Sequence, residues 1–486
     1  MRDRFGFAVL AVFTLAVSPV TILCKPSAGW MGRATSHFAI YTTDPHDGGQ
    51  SILGRLEAAR LFFEQTGWTA KDRPVQLSIL AFGSSREYES YGLNPSAYAF
   101  YQRTRDGDYV VMRDLEPEHF GVAVHEYTHF VVEHTGLDLP LWLNEGIADL
   151  YSTVECHKSQ VLVGIAPEGR LETLSRRRWM DWSTLASVDR DSAYYQQTDK
   201  MLLFYAQSWA LTHMLAMDPA YSGQFKDFLA AMSNGATTDA ATLAVYHKSL
   251  EQIGHELEEY VGSKRMAARL VDVDVRSGSE LTADVSDAAK RVEFALADVL
   301  AANPRAAAAA VSRLETLTAK YPNDPHSEET LGFLAMRAGQ QRDAEEHFAR
   351  AVQWHSQNPE VWFRLAHLKL RESGPSAEVM DLLERVVAAD SSHYNARLEL
   401  GFAAAKIGRF EAAVTALEGI GKLQAQHAYV VSYTLAYCLA ELRQGNRARV
   451  YAERAKTDAA SNADREQVAG LLRYIDQEAP LEVASR

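Results

Sequence analysis

Cysteine is scarce in this chain. Its 486 residues include only three cysteines, Cys24, Cys156 and Cys438, which lie far apart in the sequence. None of them belongs to a CxxC pair or to another clustered spacing, so the sequence excludes a disulfide scaffold and gives no sign of a cysteine-based metal site. We expect Cys156 and Cys438 to have structural roles.

Positive charge is also in deficit. Lysine and arginine number 49 against 63 aspartates and glutamates, which gives a net charge of −14. An acidic surface repels phosphate backbones, so we expect no nucleic-acid partner. Glycine and proline number only 29 and 15, and hydrophobic residues make up 47% of the chain, which excludes collagen and disorder. The length allows two or three globular domains.

Long hydrophobic runs are absent after the first 28 residues. The N-terminus has two arginines, then the uncharged stretch Phe5–Val17 and further apolar residues up to Cys24. A basic start followed by a short apolar stretch is typical of an export signal, and residues 1–28 are predicted to be one. The run is also long enough for an uncleaved anchor over residues 5–24. We therefore expect an exported protein, periplasmic or extracellular, that contacts a membrane only where this N-terminus is retained.

The chain after residue 28 is predicted to hold two domains. Residues 29–270 mix strand-like and helical patterns: the apolar stripe at Ile52–Phe63 predicts a helix, and the pattern is helical from Phe120 to Ala268. Residues 271–287 are polar and lose the helical stripe, so they are predicted to be a linker. Three stretches are predicted to be strands: His37–Tyr41, Pro74–Phe82 and Tyr109–Met112.

Residues 288–486 are predicted to form a repeat domain. A leucine followed by a small residue recurs at spacings of 34, 35 and 35 residues. Small residues let two antiparallel helices cross closely, and the pattern resembles tetratricopeptide repeats, although Glu378 stands where it requires alanine. The resemblance implies an all-α solenoid with a protein partner; a solenoid without a ligand is the alternative. The four pairs are Leu331-Gly332, Leu365-Ala366, Leu400-Gly401 and Leu435-Ala436.

A short motif in the first domain indicates metal chemistry. Residues 125–129 read His-Glu-Tyr-Thr-His, an HExxH sequence inside the apolar helical stretch Phe120–His134. Two histidines four residues apart lie on one face of a helix about one turn apart, so His125 and His129 can reach the same ion. Glu126 lies on the flank of that face, where its carboxylate can contact a water on the metal. A helix with two unrelated histidines is the alternative.

A second motif follows at the start of the next predicted helix. Sixteen residues after His129 stands Glu145, within the string WLNEG at residues 142–146. Together with HExxH, this string resembles the gluzincin metallopeptidases and is close to their aminopeptidase-N branch. The resemblance implies an α+β zincin-like domain that binds one zinc ion through His125, His129 and Glu145. It also implies that Asp149 accepts a hydrogen bond from the back of a ligand histidine.

The reaction that this resemblance implies is amide hydrolysis. Three protein ligands and an open fourth position are typical of a catalytic zinc, which activates a water and polarises the carbonyl to be attacked. Glu126 would take the proton of the water as general base and pass it to the leaving amine. Gluzincins commonly supply a tyrosine or histidine from a later helix to stabilise the oxyanion. We expect Tyr205 in that role, with His213, Tyr194 and Tyr195 as alternatives.

Two departures from the aminopeptidase branch bear on the substrate. Its GxMxN-type strand is missing upstream of the helix, where residues 103–112 read RTRDGDYVVM. That strand could still pair with an extended substrate as an added edge strand, which favours an endopeptidase. The segment between His129 and Glu145 is also shorter than that branch usually shows.

These observations predict an exported zinc-dependent metallopeptidase whose repeats recruit a protein substrate or partner. A non-catalytic interaction protein with a peptidase-like domain is the alternative, and a zinc hydrolase acting on another substrate is a third. Degenerate copies generally lose a ligand or the base. This chain keeps all four residues, so we favour the active enzyme.

Overall fold

The computed structural model divides the chain into two compact units, one ending at Arg305 and the other beginning at Ala306. The predicted export signal or anchor at residues 1–28 lies outside the described residues, and so does the middle of the predicted linker. The described residues are 29–478, apart from 45, 47, 48, 69–75, 96, 158, 159, 264 and 274–282.

Short strands in the first unit form a sheet of six strands and a sheet of three. Apolar side chains on the larger sheet, such as Phe38, Ile40 and Ile79, are buried against helices of the same unit. In chain order the strands are β1 Met31–Ala34, β2 Phe38–Thr42, β3 Leu77–Ala81, β4 Ala99–Arg103, β5 Asp108–Met112, β6 Glu155–His157, β7 Gln160–Val163, β8 Arg269–Asp272 and β9 Ala283–Asp284.

The larger sheet is mixed, with the strand order β4-β5-β3-β2-β1-β9. Strands β2, β3 and β5 are parallel, whereas the pairs β4–β5, β1–β2 and β1–β9 are antiparallel. The strand β5 occupies the predicted stretch Tyr109–Met112, but β4, on its outer side, was not predicted. Because β5 is hydrogen-bonded on both sides, the expectation that it pairs with an extended substrate is wrong.

The boundary between the units lies further along the chain than the predicted linker, residues 271–287. The segment entering that linker forms β8, which pairs with β7, and the segment leaving it forms β9, which pairs with β1. The helix that follows, Ala288–Ala302, packs against β1 and β4 in the first unit. The sequence VDVDV at 271–275 alternates with period two, a strand pattern hidden by its charge.

Helices complete the first unit. The longest, Thr198–Met217, is apolar all round, and every residue from Leu203 to Leu215 is buried, because several of the other helices pack around it. In chain order they are α1 Gln50–Gln65, α2 Ser85–Ser90, α3 Phe120–Thr135, α4 Leu141–Ser152, α5 Glu168–Arg176, α6 Trp182–Ser187, α7 Ala193–Gln196, α8 Thr198–Met217, α9 Phe225–Ser233, α10 Thr238–Tyr246, α11 Leu250–Gly262 and α12 Ala288–Ala302.

The second unit contains only helices in its described part, which confirms the predicted all-α solenoid. Among the described residues no single helix is long and apolar enough to cross a membrane, and only the bent pair Ala288–Ala302 and Pro304–Lys320 meets that length and composition together. The helices are α13 Ala307–Lys320, α14 Pro325–Arg337, α15 Gln341–Gln353, α16 Pro359–Ser373, α17 Ala377–Ala389, α18 Tyr394–Lys406, α19 Phe410–Glu418, α20 Ala428–Glu441, α21 Gly445–Asp458 and α22 Asn462–Glu478.

Consecutive helices of the second unit pack in pairs, and in the two repeats whose small residue is glycine that residue lies at the crossing. A Cβ atom at Gly332 would lie 2.5 Å from the ring of Phe348 in α15. A Cβ atom at Gly401 would overlap the side chain of Leu417 in α19. In these two repeats the small residue therefore faces the second helix of its own pair, as the sequence pattern predicts.

We expect Gly401→Ala to lower the free energy of unfolding by about 1–3 kcal/mol, because the added methyl group overpacks the crossing with Leu417. Gly470→Ala in α22 is the matched control, since its Cβ would meet nothing closer than Arg473 at 3.9 Å. That control is expected to gain up to about 1 kcal/mol from helix propensity. Thermal unfolding followed by circular dichroism measures both, and equal behaviour of the two variants would contradict the packing.

Candidate metal centre

Two consecutive helices carry the predicted metal ligands. Helix α3 places His125 and His129 one turn apart, and its apolar residues pack against the larger sheet. Gly136, in the left-handed region at φ 71°, ends α3, and Pro140 precedes the first residue of α4. This short connection turns the chain back, so α4 packs against α3 and brings Glu145 beside the histidines.

The three predicted ligands converge on one point. The Nε2 atoms of His125 and His129 are 3.2 Å apart. The Oε2 atom of Glu145 lies 3.4 Å from Nε2 of His125 and 3.5 Å from Nε2 of His129. All three side chains are buried. Residues from two helices therefore form a nearly equilateral triangle of potential ligand atoms.

The dimensions of this triangle fit a zinc ion. Zn–N distances of about 2.0–2.1 Å, Zn–O distances of about 2.0–2.2 Å and tetrahedral angles place the ligand atoms about 3.3–3.5 Å from one another. The Oε2 atom of Glu145 is buried and makes no hydrogen bond among the described residues. Because a buried carboxylate oxygen without a hydrogen bond is costly, a cation among the three atoms would stabilise this group.

Buried negative charge at the site also favours a cation. Burial alone would raise the pKa of Glu145, but His129 and His125 beside it lower that pKa well below its usual range. Burial alone would lower the pKa of His125, yet its contacts with Asp149 and Glu145 raise it to about 10. The carboxylates thus hold a positive charge on the imidazoles, and a divalent cation can replace it when the imidazoles are neutral.

A polar group holds the back of each histidine ring. The Nδ1 atom of His125 lies 3.0 Å from Oδ1 of Asp149, and Arg170 donates hydrogen bonds of 2.6 and 3.1 Å to the same carboxylate. The Nδ1 atom of His129 donates to Oδ1 of Asn144 over 2.9 Å. Because both Nδ1 atoms are engaged, both Nε2 atoms face the ligand position, and in the neutral rings they are the unprotonated nitrogens that a metal requires.

Glu126 lies beside the ligand triangle and is not part of it. Its Oε2 atom accepts a hydrogen bond of 2.8 Å from the backbone N–H of Tyr101 in β4. Only 1% of the residue is exposed, and burial raises the pKa of its carboxyl. A carboxylate with a raised pKa, held next to the ligand triangle, is suited to accept and return a proton.

Two of the four candidates for oxyanion stabilisation reach the site. The hydroxyl of Tyr195 donates to Oε1 of Glu145 over 3.1 Å. The hydroxyl of Tyr205 is buried and makes no hydrogen bond among the described residues, while the ring lies 6.4 Å from that of His125 between centroids. Burial, reinforced by the Glu145 carboxylate, raises the pKa of both hydroxyls well above the usual value. Both tyrosines therefore remain hydrogen-bond donors.

The other two candidates are engaged elsewhere. The ring nitrogens of His213 each lie 3.0 Å from a partner, the backbone oxygen of Gly164 and the hydroxyl of Tyr260. The ring of Tyr194 lies 5.5 Å from the Lys200 ammonium. His213 is thus a core residue with both nitrogens satisfied, and neither candidate has a contact with the ligand triangle.

Gly146 determines how closely α4 packs against α8. A Cβ atom at this position would overlap Oγ1 of Thr212 and lie 2.5 Å from the backbone oxygen of Ser208. Only glycine allows this approach without displacing backbone. Because α4 carries Glu145 and α8 carries Tyr205, the contact fixes the distance between these two side chains.

Three contacts at the site were not predicted from the sequence. Asn144 adjoins Glu145 in the WLNEG string, and its position one residue before a ligand was the available signal. Arg170 follows Asp149 by 21 residues, and only the fold brings the two together. Tyr101 acts through its backbone N–H, which no pattern of side chains reveals.

No protein-family model and no curated protein sequence matches the chain. Solved structures that it resembles include YrrB, described as a TPR protein with an unusual peptide-binding site, at 13% identity over 37% of this chain and 90% of YrrB, with a TM-score of 0.31. MamA matches at 17% identity over 36% of this chain and 96% of its own, with a TM-score of 0.28. PilW, a type IV pilus biogenesis factor, matches at 20% identity over 39% and 88%, with a TM-score of 0.25. At these TM-scores the likeness carries no argument, and the description of the repeats rests on their own helix pairs.

We expect the purified chain to bind one zinc ion, and His129→Ala to abolish this binding because it removes one corner of the ligand triangle. Elemental analysis after zinc loading and gel filtration measures the ratio of metal to chain. His255→Ala is the matched control, since that histidine lies on α11 with 70% of its side chain exposed. Equal zinc content in the two variants would rule out this site.

We expect Asp149→Asn to keep the zinc stoichiometry and to lower zinc affinity about 10–100-fold, because a neutral amide holds the His125 ring less firmly than the carboxylate does. Competition with a chromophoric chelator measures the affinity. Asp227→Asn, on the exposed face of α9, makes the same chemical change away from the site and should leave affinity unaltered. Unchanged affinity in Asp149→Asn would mean that the contact with His125 does not support the metal.

Proposed function

We propose that the first unit is a zinc-dependent hydrolase of peptide bonds and that the repeats recruit its protein substrate or a partner. The single observation that carries the proposal is the triangle of His125, His129 and Glu145, with the separate buried carboxylate of Glu126 beside it. Three ligands from this residue set leave a fourth position open, which is typical of catalytic rather than structural zinc. The repeat proteins named by the comparisons add nothing to this inference.

Zinc bound by these ligands would supply Lewis acidity, which polarises a carbonyl and makes water a nucleophile near neutral pH. The residues of the chain contribute the remaining chemistry. Glu126 accepts a proton at Oε1 or Oε2 and returns it to the leaving amine, while the N–H of Tyr101 holds the carboxylate in place. Burial of Glu126 raises its pKa toward the range in which a carboxylate can do both.

Tyr205 is the residue that we propose to stabilise the developing oxyanion. Its hydroxyl is a donor without a partner among the described residues, and it lies on the buried helix α8 next to the ligand Glu145. Tyr195 already donates to Glu145, so it serves to position that ligand. The guanidinium of Arg170 lies 5.0 Å from the centroid of the Tyr205 ring, and it therefore fixes both this ring and Asp149.

We propose that the chain hydrolyses peptide bonds, and the proposal does not specify an endopeptidase. The preference for an endopeptidase came from β5 as an edge strand, and β5 is internal. On this side of the sheet the edge strand is β4, whose Tyr101 N–H is already bonded to Glu126. A substrate strand therefore has no free donor at this residue.

A second candidate function is a protein-interaction scaffold in which any zinc is structural. The observation that favours it is the closure of the site, since the exposed fractions of Glu126 and Glu145 are only 1% and 3%. A substrate carbonyl must reach the metal, whereas a structural ion needs no access. Under this alternative the repeats carry the function.

We expect Glu126→Gln to retain one zinc ion and to lose peptide hydrolysis by about 10²–10⁴-fold, because the amide cannot accept the proton. A mixture of internally quenched fluorogenic peptides provides the assay, with zinc content measured on the same sample. Glu118→Gln, an exposed glutamate just before α3, is the matched control and should remain fully active.

The outcomes separate the two candidate functions. Undiminished hydrolysis by Glu126→Gln would reject the role given to Glu126. A zinc-loaded wild-type chain that cleaves none of the peptides would support the scaffold instead.

A further inference from the structure

Three buried polar side chains, Tyr101, Asp108 and His134, form a connected cluster beside α3 that is not part of the ligand triangle. The hydroxyl of Tyr101 donates a hydrogen bond to Oδ1 of Asp108, and Oδ2 of the same carboxylate lies 3.5 Å from Nε2 of His134. The exposed fractions of the three residues are 1%, 4% and 7%. The cluster therefore joins β4, through the first residue of β5, to the last turn of α3.

The geometry of the sheet brings Tyr101 and Asp108 together. In the antiparallel pair β4–β5, Tyr101 lies opposite Val110 and Arg103 lies opposite Asp108. Side chains two residues apart on a strand share a face, so Tyr101 and Asp108 are diagonal neighbours on one face of the sheet. The ring of Tyr101 lies 6.1 Å from that of Phe130 in α3, measured between centroids. The bond between hydroxyl and carboxylate thus lies between the sheet and α3.

His134 balances the charge of Asp108. Its Nδ1 atom donates to the backbone oxygen of Phe130 over 2.8 Å, so a second proton, on Nε2, is the one that faces Asp108. Burial alone would lower the pKa of His134, but Asp108 and the Phe130 oxygen raise it above the ordinary value. Burial also raises the pKa of Tyr101, so its hydroxyl remains a donor. The Asp108 carboxylate is therefore bonded to β4 on one side and paired with α3 on the other.

The same tyrosine holds the proposed general base. The backbone N–H of Tyr101 donates to Oε2 of Glu126 over 2.8 Å. Because β4 lies at the edge of the sheet, side-chain contacts help to set its position along α3. Arg103 pairs with Glu133 over 3.2 Å, but 48% of its side chain is exposed, and exposed pairs contribute little. The buried bond from Tyr101 to Asp108 is charge-assisted and is the stronger of these two constraints.

We propose that Asp108 is a positioning residue for Glu126. Its carboxylate holds the hydroxyl of Tyr101, the tyrosine ring sets the position of β4 along α3, and the N–H of Tyr101 then holds Oε2 of Glu126. A hydrogen bond donated to Oε2 makes that oxygen less basic, so Oε1 is the atom that takes the proton. This inference rests on the role proposed for Glu126 in hydrolysis, and it adds the group that places this carboxylate.

The test removes the bond from either side in the full, zinc-loaded chain, with Tyr101→Phe and with Asp108→Leu. Each change should free the N–H of residue 101, so that peptides covering residues 98–104 take up about one additional deuteron at early times in hydrogen exchange followed by mass spectrometry. In the fluorogenic peptide assay kcat should fall about tenfold with KM unchanged, because a misplaced base impairs the chemical step and not substrate binding. Zinc content should stay at one ion per chain.

Two further variants are matched controls. Asp108→Asn keeps an oxygen that can accept the hydroxyl of Tyr101, so exchange and kcat should both remain close to those of the wild type. Tyr246→Phe removes a buried hydroxyl on α10 that makes no hydrogen bond among the described residues, and it should alter neither quantity. The pair separates loss of this hydrogen bond from loss of charge and from loss of any buried hydroxyl.

Three results would overturn the proposal. They are unchanged exchange in both Tyr101→Phe and Asp108→Leu, an effect of Asp108→Asn as large as that of Asp108→Leu, and increased exchange without a loss of kcat. A wild-type chain that cleaves no peptide would reject the function proposed for the site. The exchange measurement alone would then decide whether Asp108 positions the N–H of Tyr101, so the two failures remain distinguishable.

Discussion

The packing of α4 between α3 and α8 is the constraint on which the candidate metal centre depends. A carboxylate 3.4 and 3.5 Å from two imidazole nitrogens requires that one helix carry the histidines and that a second be held against it. Gly146 permits that arrangement, because any side chain there would meet the backbone of Ser208. Gly146, next to the predicted ligand Glu145, therefore matters because it has no side chain and not because it makes a contact.

Burial gives the same cluster its electrostatic character. Glu126, Glu145 and Asp149 are all buried, and Arg170 is the cation that pairs with one of them. Charges removed from water must be compensated nearby, so the remaining carboxylates hold either protons on the histidines or a metal ion. Zinc binding at such a site stabilises the folded chain, since the unfolded chain does not assemble the three ligands.

The parts of the structure that could be predicted from the sequence are those that depend on local periodicity. The four-residue spacing in HExxH requires only a helix, and the 34-residue period requires only stacked helix pairs. Both Arg170 and the N–H of Tyr101 depend on long-range folding, and neither leaves a local pattern. The prediction of a linker at residues 271–287 was wrong for a related reason. Strands β8 and β9 are stabilised by pairing with strands that are distant in the sequence. His213, which the sequence alone could not separate from Tyr205, is satisfied by groups 47 and 49 residues away.

A small residue at a helix crossing determines how neighbouring helices pack in both units. In the first unit Gly146 sets the depth of Glu145 against α8. In the second unit Gly332 and Gly401 fix the rotation of α14 and α18 about their axes, because only their faces fit against the neighbouring ring or leucine. Once that rotation is fixed, the residue five positions later points away from the partner helix, and Arg337 and Lys406 at these positions are exposed. The exposure of these positions therefore follows from packing, whereas the sign of their charge does not.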